Sequence, residues 1–256
     1  MTISKDPGRA WSGPFRNWQE ASAQATDANL AWSDPAWMKR QAEFLESARA
    51  DASAPPRPSS LPLLAGLLQA RRIVDYGGGS GWAFELLKSA CPGLNVTAFT
   101  VLELSDVVAA HRSVPPADSR LDHMPFEDVS CLRSADLLYA NASLHYGESE
   151  DAFLDAAMAL GPAPHLLLDG YLAHPDQEFF LVQGVYGHAV PVRVPHLARS
   201  LQDLRDRGYR VTSCAPMLGP VSGDYRYDLP LGHLGELYAR TRRYCIVAQR
   251  EDAPKP

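Results

Sequence analysis

The amino-acid sequence predicts an α/β fold in which a mostly parallel sheet is covered by helices on both faces. After residue 70, short runs rich in Val, Ile, Leu and Tyr alternate with helical stretches, and these runs are apolar at nearly every position. Strands of that kind are buried on both faces, as in parallel sheets. A glycine-rich turn follows the first of them. With 256 residues and 46% hydrophobic composition, the chain is long enough for one such domain with a modest appendage.

The N-terminal part, residues 1–57, is predicted to be a small helical region that ends in a Pro-rich linker. Four of the five tryptophans lie here, and Ala-Pro-Pro-Arg-Pro occupies 54–58. Ser33-Asp34-Pro35 supplies an N-cap and a proline for the first turn of a helix predicted over 35–49. Residues 58–256 are predicted to form the main domain.

The elements of the main domain follow from the change of period along the chain. A first apolar helix is predicted over 61–70. Strands are predicted at 72–76, 96–101, 136–141, 165–169, 210–214 and 244–249. Helices are predicted at 81–90, 105–112, 149–160 and 195–207. This βαβα order favours a parallel sheet.

Charge and cysteine usage exclude several classes of function. The net charge is −6 with no long run of Lys or Arg, so nucleic acid is not an expected partner. The polar N-terminus and the lack of a span of roughly 18 apolar residues predict a protein without a signal peptide or a membrane helix. The four cysteines are widely spaced, as thiols in a reducing cytoplasm would be. The oligomeric state stays open.

The segment Ile73-Val74-Asp75-Tyr76-Gly77-Gly78-Gly79-Ser80-Gly81 reads as a strand, a glycine loop and the start of a helix. Glycines allow positive φ and close backbone approach to a ligand. The spacing departs from the dinucleotide pattern because Trp82 takes the place of its last glycine, and no Gly-Lys-Ser/Thr follows as in a phosphate-binding loop. The pattern resembles motif I of class I S-adenosylmethionine (SAM)-dependent methyltransferases. The alternative is that the glycines only make a tight turn.

Glu103 ends the second predicted strand, 28 residues after Asp75. A carboxylate at the tip of the second strand accepts hydrogen bonds from ribose hydroxyls in nucleotide-binding α/β sheets. A solvated strand-end glutamate is the alternative.

Further segments extend the resemblance. Together with the glycine loop, Cys-Pro-Gly-Leu (91–94), Val-Leu-Glu-Leu-Ser-Asp-Val-Val (101–108) and Leu-Leu-Tyr-Ala-Asn-Ala-Ser-Leu-His-Tyr (137–146) are similar to the Rossmann-like core of small-molecule O-methyltransferases over residues 71–170. A longer and more specific resemblance is to a family of methyltransferases often found in polysaccharide and O-antigen gene clusters. It rests on Trp-Ser-Gly-Pro-Phe-x-x-Trp-x-x-Ala (11–21), Val-Gln-Gly-Val-Tyr-x-x-x-Val-Pro-Val-Arg-Val (182–194) and Arg-Gly-Tyr-Arg-Val (207–211).

The resemblance implies a Rossmann-like class I methyltransferase with a seven-stranded sheet, and it implies roles for individual residues. SAM is the implied cofactor and S-adenosylhomocysteine (SAH) its product. The residues implied to hold the methionine part of SAM are Asp75, Gly77 and Gly79, and those implied to hold its ribose are Glu103 and Leu104. Met124 is implied to contact the adenine, and Asn141 is implied to close the pocket.

His145 is the candidate general base, because it follows a strand's carboxyl end and because plant-type O-methyltransferases carry a catalytic histidine at the matching place. The polysaccharide-cluster family often reads Leu-Gln-Tyr where this chain has Leu-His-Tyr, and the alternative is that the histidine only packs. Asp169, at the end of the strand predicted over 165–169, is expected to orient or assist His145, or else to cap the next turn.

Five residues are candidates for contact with the acceptor. Tyr186, His188 and Arg193 lie in a stretch that reads as a loop-like insertion, where Arg193 would bind a carboxylate or phosphate or be an ordinary surface arginine. Trp11 and Phe15 would form an aromatic lid with Trp18, or anchor the segment to the core. The eight histidines form no cluster with ligand spacing, so a metal is not expected.

The expected function is SAM-dependent methyl transfer to a small-molecule hydroxyl, in secondary-metabolite or sugar biosynthesis. N-methylation, carboxyl methylation and a non-catalytic SAM-binding module are the alternatives. The glycine spacing weakens a reading as an NAD-dependent oxidoreductase.

Overall fold

The computed structural model describes residues 11–26, 28–50, 59–113, 118–161, 163–217 and 231–252. The strands are β1 (Trp11–Phe15), β2 (Arg72–Tyr76), β3 (Ala98–Glu103), β4 (Leu121–Pro125), β5 (Leu137–Asn141), β6 (His165–Ala173), β7 (Phe179–Val185), β8 (His188–Val194), β9 (Tyr209–Pro216) and β10 (Arg242–Arg250). The α-helices are α1 (Trp18–Gln24), α2 (Ala28–Ser33), α3 (Pro35–Ala50), α4 (Leu61–Leu68), α5 (Trp82–Ala90), α6 (Ser105–Arg112), α7 (Asp151–Leu160) and α8 (Leu197–Asp206). Short 3-10 helices occur at Ser130–Ser134, Leu144–Tyr146, Gly232–Leu234 and Tyr238–Arg240.

Seven strands form one sheet in the order β4-β3-β2-β5-β6-β10-β9. The pairs from β4 to β6 are parallel, and β10 runs antiparallel to both of its neighbours. The predicted mostly parallel sheet is therefore confirmed. Strand β4 was not among the predicted strands; it lies at the edge of the sheet and only one of its five residues is buried.

Both faces of this sheet are covered by helices, as predicted. One face packs alternate strand residues such as Val74 and Leu138 against Phe153 and Leu154 of α7. The residues of β2 and β5 that point the other way, Ile73 and Leu137, pack against α3, α4 and α5. Burial on both sides explains why these strands are apolar at successive positions.

A second, smaller sheet has the order β1-β7-β8 and corrects two expectations. Residues 11–15 form a strand paired with β7, where a helical region was predicted. The stretch 185–193, predicted to be loop-like, is mostly β8 and the two-residue turn before it. Tyr186 and Gly187 in that turn both have positive φ, 50° and 87°, which suits a tight hairpin. The first of these strands depends on its pairing with β7, since Gly13 and Pro14 give residues 11–15 a weak strand signal of their own.

Helix α3 begins as predicted, because Asp34 Oδ1 accepts a hydrogen bond of 2.7 Å from the N–H of Ala36. Phe44 and Ala48 on its buried face pack against α5, so the helix lies next to the glycine loop. The Pro-rich linker predicted at 54–58 lies outside the described residues. None of the helices in the described ranges has both the length and the apolar character that a bilayer crossing requires.

Candidate active site

A cavity of about 460 Å³ opens at the carboxyl ends of β2, β3 and β5, which is where parallel α/β sheets bind ligands. One part of its wall is the glycine loop with the ends of β3 and β5. The other part comes from α2, α3, the segment between β5 and α7, the end of β7 and the turn to β8. The volume lies within the range of about 300–1,000 Å³ that is usual for small-molecule sites.

Two glycines of the loop are required by the close packing around them. Gly77 has a φ of 68°, and a Cβ there would lie 2.5 Å from the Cβ of Ser143. A Cβ on Gly78 would lie 2.2 Å from Oδ2 of Asp75. Side chains at these positions would displace the loop or the carboxylate, so the glycines keep bare backbone and the Asp75 carboxyl group at the cavity wall.

Asp75 is a buried carboxyl group on the cavity wall, with an exposed fraction of 1%. Its Oδ1 has no hydrogen-bond partner among the described residues. Burial, and next the charge of Glu103, raise the pKa of Asp75 well above its usual value. A buried carboxyl oxygen without a partner inside the protein is the group expected where a ligand supplies the partner.

Glu103 is held at the end of β3 by two backbone donors. Its Oε2 accepts from the N–H of Gly79 at 3.2 Å, and its Oε1 accepts from the N–H of Leu104 at 2.9 Å. Burial raises the pKa of Glu103, against the opposing effect of these two N–H groups. Glu103 and Leu104 line the cavity, while Gly79 does not. The carboxylate is therefore fixed in position, and it retains lone pairs to accept further hydrogen bonds.

Gln41 of α3 also reaches the glycine loop, and the sequence analysis did not single it out as a site residue. Its Oε1 accepts a hydrogen bond of 3.1 Å from the N–H of Ser80, and its backbone carbonyl accepts one of 2.9 Å from Ser80 Oγ. Gln41 is 3% exposed and lines the cavity. The available signal was a polar residue at helical spacing within the apolar face of α3, since buried polar side chains need a partner.

Asn141 lines the cavity, and Asp169 lies behind it. The Nδ2 of Asn141 donates to the hydroxyl of Tyr139 at 2.8 Å, and that hydroxyl also bonds Ser59 Oγ at 2.8 Å. Asp169 Oδ2 accepts from the N–H of Ser60 at 2.6 Å, at the start of α4. Asp169 is 1% exposed and does not line the cavity. In the structure this carboxylate holds the N-terminus of α4.

His145 also lies away from the cavity. It is buried in the 3-10 helix Leu144–Tyr146, with its ring 4.2 Å from the ring of Tyr146. His145 and Asp169 instead border a separate space of only about 10 Å³, together with Tyr171. That is about the volume of a single water-sized probe, so neither proposed catalytic group faces room for an acceptor.

Met124, for which the resemblance implied an adenine contact, does not line the cavity. Met124 packs partly buried against the core beside Val74 and Leu102. Phe126, just past the end of β4, lines the cavity instead.

Of the five residues expected to contact the acceptor, only Tyr186 lines the cavity. Trp11 is buried against Phe179 and Leu181, and Phe15 packs against the core of the small sheet, so both anchor the N-terminal segment. They take no part in the cavity wall, which corrects their assignment to a lid.

His188 and Arg193 are engaged elsewhere. The Nε2 of His188 lies 3.1 Å from Oδ2 of Asp34. Arg193 pairs with Glu150 and with Glu178, the latter at 2.8 Å, and its side chain is 12% exposed. Arg193 lies in β8 rather than in a surface loop, so its guanidinium serves the interior of the protein and does not reach the cavity.

A different aromatic set lines the cavity. Trp32 of α2, Trp37 of α3, Tyr146 and Tyr186 are all part of its wall. The ring of Trp32 lies 4.6 Å from that of Tyr146 and 5.3 Å from that of Trp37, and Trp37 lies 5.9 Å from Tyr186. We call these four side chains the aromatic row. They come from four separate segments, which the sequence order does not reveal.

Within the described part of the chain, the charged side chains that line the cavity are the two carboxyl groups of Asp75 and Glu103. The polar remainder consists of amides, hydroxyls and backbone groups. A site with this balance favours a ligand that carries positive charge near the carboxylates. Across those same residues, no group of three or more His, Cys, Asp or Glu side chains is placed to hold a metal ion.

Comparison with known proteins identifies the fold. No protein-family model and no curated protein sequence matches this chain. Among solved structures, the 1,6-didemethyltoxoflavin-N1-methyltransferase of Burkholderia thailandensis, with its substrate and SAH bound, aligns with a TM-score of 0.54 at 14% identity, over 94% of this chain and 93% of that one.

Two further structures align over most of their length. The methyltransferase in complex with the Trm112 activator of Haloferax volcanii gives a TM-score of 0.52 at 13% identity, over 86% of this chain and 97% of that one. A Listeria monocytogenes protein assigned as a SAM-dependent methyltransferase gives a TM-score of 0.50 at 14% identity, over 73% of this chain and 98% of that one. The chain thus has the Rossmann-like fold of class I SAM-dependent methyltransferases, as its sequence predicted.

Proposed function

We propose that the protein is an enzyme that transfers the methyl group of SAM to a small-molecule acceptor. The observation that carries this proposal is that buried Asp75, whose Oδ1 has no partner among the described residues, and Glu103 both line a cavity walled by the glycine loop. Asp75, Gly77 and Gly78 would hold the methionine part of SAM, and Glu103 with Leu104 would hold its ribose. A sulfonium beside Asp75 and Glu103 would favour the ionised form of both groups, against the burial that raises their pKa values.

When bound, SAM supplies an electrophilic methyl group: its bond to sulfur breaks as the acceptor atom bonds to carbon, sulfur keeps the electron pair to leave SAH, and the acceptor's proton passes to solvent. The residues of the chain orient the two reactants and exclude water. Ser143 supports that geometry, because its Oγ donates a hydrogen bond of 2.6 Å to the carbonyl of Tyr76 beside the loop.

Oxygen is the acceptor atom we favour, with nitrogen or a carboxyl group as the alternative. His145 lies outside the cavity wall, so we do not assign it the role of general base. An acceptor that is acidic enough to lose its proton to water fits the described wall better than an ordinary alcohol.

The longer resemblance, to methyltransferases of polysaccharide and O-antigen gene clusters, remains part of the proposal. Its two most specific stretches, 11–21 and 182–194, are neighbours in the small sheet, where Trp11 pairs with Gln183. This pairing supports reading them as one unit. The four cysteines are free thiols, which is consistent with a cytoplasmic location.

Calorimetric titration with SAM, SAH and NADH tests the proposal. We expect SAM and SAH to bind, and Glu103→Ala to weaken both by about tenfold or more, because a charge-assisted hydrogen-bond acceptor is lost. Glu127→Ala, which removes an exposed carboxylate after β4, is the matched control and should bind both like the native protein. Tighter binding of NADH than of SAM, or no binding of SAM and SAH, would contradict the proposal. Binding without turnover on any acceptor would favour a non-catalytic module.

A further inference from the structure

The cavity has two unlike halves. Asp75, the glycine loop, Glu103 and Phe126 form the half at the tips of β2, β3 and β4. The aromatic row, with Gln183 and Asn29, forms the other half. If the first half holds the cofactor, as proposed above, then the second half faces the acceptor, so the chemistry of the aromatic row bears on what the acceptor is.

The aromatic row presents ring surface that the protein does not bury. Trp32, Trp37 and Tyr146 are only partly buried, and Tyr186 is 44% exposed at the tip of the β7–β8 turn. Successive rings meet edge to face or tilted, at interplanar angles of 64°, 67° and 53°. Aromatic side chains that serve only as core are covered, whereas these four make a continuous open surface along the cavity.

The polar groups near the row are neutral. The hydroxyl of Tyr146 donates a hydrogen bond of 3.0 Å to Oε1 of Gln183, and both groups line the cavity. No Lys, Arg or His is among the described lining residues. Arg193, the arginine expected to bind a phosphate or carboxylate, is paired with Glu150 and Glu178 instead. Phosphate recognition in proteins uses such cations or a helix N-terminus, and here the charged wall is made of carboxylates.

We infer that the acceptor is a planar aromatic or heteroaromatic ring without phosphate or carboxylate groups, and that the aromatic row binds its faces and edges. This inference rests on the proposed function. It separates the two settings that the sequence left open, because the described cavity wall offers no cationic side chain to the pyrophosphate of a nucleotide sugar. A ring hydroxyl or ring nitrogen also explains how transfer proceeds without a basic side chain on the described wall, since conjugation with the ring acidifies the attached proton.

The test measures probe binding by fluorescence and by ligand-observed NMR, both with and without saturating SAH. The probes are 7-hydroxycoumarin and 4-hydroxyquinoline as planar rings, methyl glucoside as a neutral sugar, and UDP-glucose as a nucleotide sugar. We expect at least one ring to bind more tightly than either sugar. Trp32→Ala and Trp37→Leu should each weaken ring binding by about tenfold, because a stacking surface is lost. Both variants should retain the native affinity for SAH.

Trp18→Ala is the matched control, since Trp18 packs against Phe180 in the small sheet, 6.3 Å between ring centroids, and does not line the cavity. It should leave ring binding unchanged. Tighter binding of either sugar probe, no binding of either ring, or ring binding that is equal in native protein and both cavity variants would overturn the inference. Failure of the native protein to bind SAH would instead contradict the proposed function, and the titrations without SAH would still show whether the aromatic row prefers planar rings to sugars.

Discussion

The side-chain carbonyl of Gln41 accepts a hydrogen bond of 3.1 Å from the N–H of Ser80, and this contact joins the N-terminal part of the chain to the glycine loop. Ser80 is 2% exposed, so its N–H has little access to water. The position of the loop therefore depends on α3, a helix that precedes the main domain in sequence.

Replacing Gln41 with alanine tests this dependence. Because a buried N–H loses its partner, we expect Gln41→Ala to lower the free energy of unfolding by about 1–3 kcal/mol. We also expect SAM affinity to fall about tenfold as the loop loses its fixed geometry. Denaturant unfolding and calorimetry measure the two effects. Glu43→Ala, two residues further along on the exposed side of α3, should change neither. Native SAM affinity in Gln41→Ala would show that α3 does not position the loop.

Asp75 is expected to stabilise the bound cofactor at the expense of the folded protein. The pKa of Asp75 is raised in the folded state, so the folded protein binds a proton at this carboxyl group more tightly than the unfolded chain does. The unfavourable burial of charge is therefore present above the folded pKa and relieved as pH falls through it. We expect Asp75→Asn to raise the thermal midpoint at pH 8, by about 2–4 °C for each kcal/mol gained.

The same substitution should weaken SAM binding more than SAH binding, because only SAM carries the sulfonium charge. Asp106→Asn, on the exposed surface of α6, is the control and should change neither quantity. If Asp75→Asn unfolds at a lower temperature and binds SAM normally, then Asp75 has a structural role and not the one proposed.

Most of the large sheet was predictable because its central strands are buried on both faces, which leaves uninterrupted apolar runs such as Leu137–Asn141. The strands that were not predicted belong to the small sheet or, in the case of β4, lie at the edge of the large one. In β4, polar Asp122 and His123 interrupt the run, and in β8, an edge strand of the small sheet, Pro191 removes a backbone donor. Strand β4 is held by its pairing with β3, and β8 by its hairpin pairing with β7.

The site divides in the same way. Asp75, Gly77 and Glu103 were predicted to line the site because they lie within one strand–loop–helix unit or at a strand end, where local pattern implies position. Gly79 was predicted with them, but its neighbour Gly78 lines the cavity in its place. Trp32, Trp37 and Gln183 were not found, because only the packing of α2, α3 and the β7–β8 hairpin over the sheet brings them to the cavity. Their separation from the glycine loop in the sequence does not indicate that they line the same cavity.

His123 supports the glycine loop from β4, and it predicts a pH dependence of stability. Its Nε2 lies 3.1 Å from the carbonyl oxygen of Gly79, and its ring stacks on His111 with 4.6 Å between centroids. Burial, and next the proximity of His111, lower the pKa of His123 to about 4, against 6.5 for the free side chain. The unfolded chain therefore binds more protons between these values, so stability falls as pH drops from 6.5 towards 4.

Thermal unfolding of native protein and His123→Gln over this pH range measures the effect. Glutamine retains a donor for Gly79 and does not titrate, so its profile should be shallower, by up to about 1.4 kcal/mol per pH unit. Above pH 7 the two profiles should run parallel. Equal slopes below pH 6.5 would show that His123 does not keep its lowered pKa in solution.

The contact between Asp34 and His188 links the two segments that carry half of the aromatic row. Asp34 immediately precedes α3, which bears Trp37, and His188 follows the turn that bears Tyr186. The N–H of Ala36, and next His188, lower the pKa of Asp34 below its usual 3.8. The stabilisation from these contacts is therefore fully present above pH 3.8 and is lost as the pH falls through the lowered pKa of Asp34.

Two substitutions separate the roles of Asp34. Asp34→Asn keeps an oxygen to accept from Ala36 and removes the charge facing His188, whereas Asp34→Ala removes both contacts. Both variants weaken the contact with His188. We therefore expect amide hydrogen exchange at residues 185–188 to accelerate about two- to fivefold in each variant. Exchange in the first turn of α3 should accelerate in Asp34→Ala alone, because that variant alone loses the cap. Native exchange at the hairpin in both variants would mean that the turn is held over the cavity by β7 and β8 without help from α3.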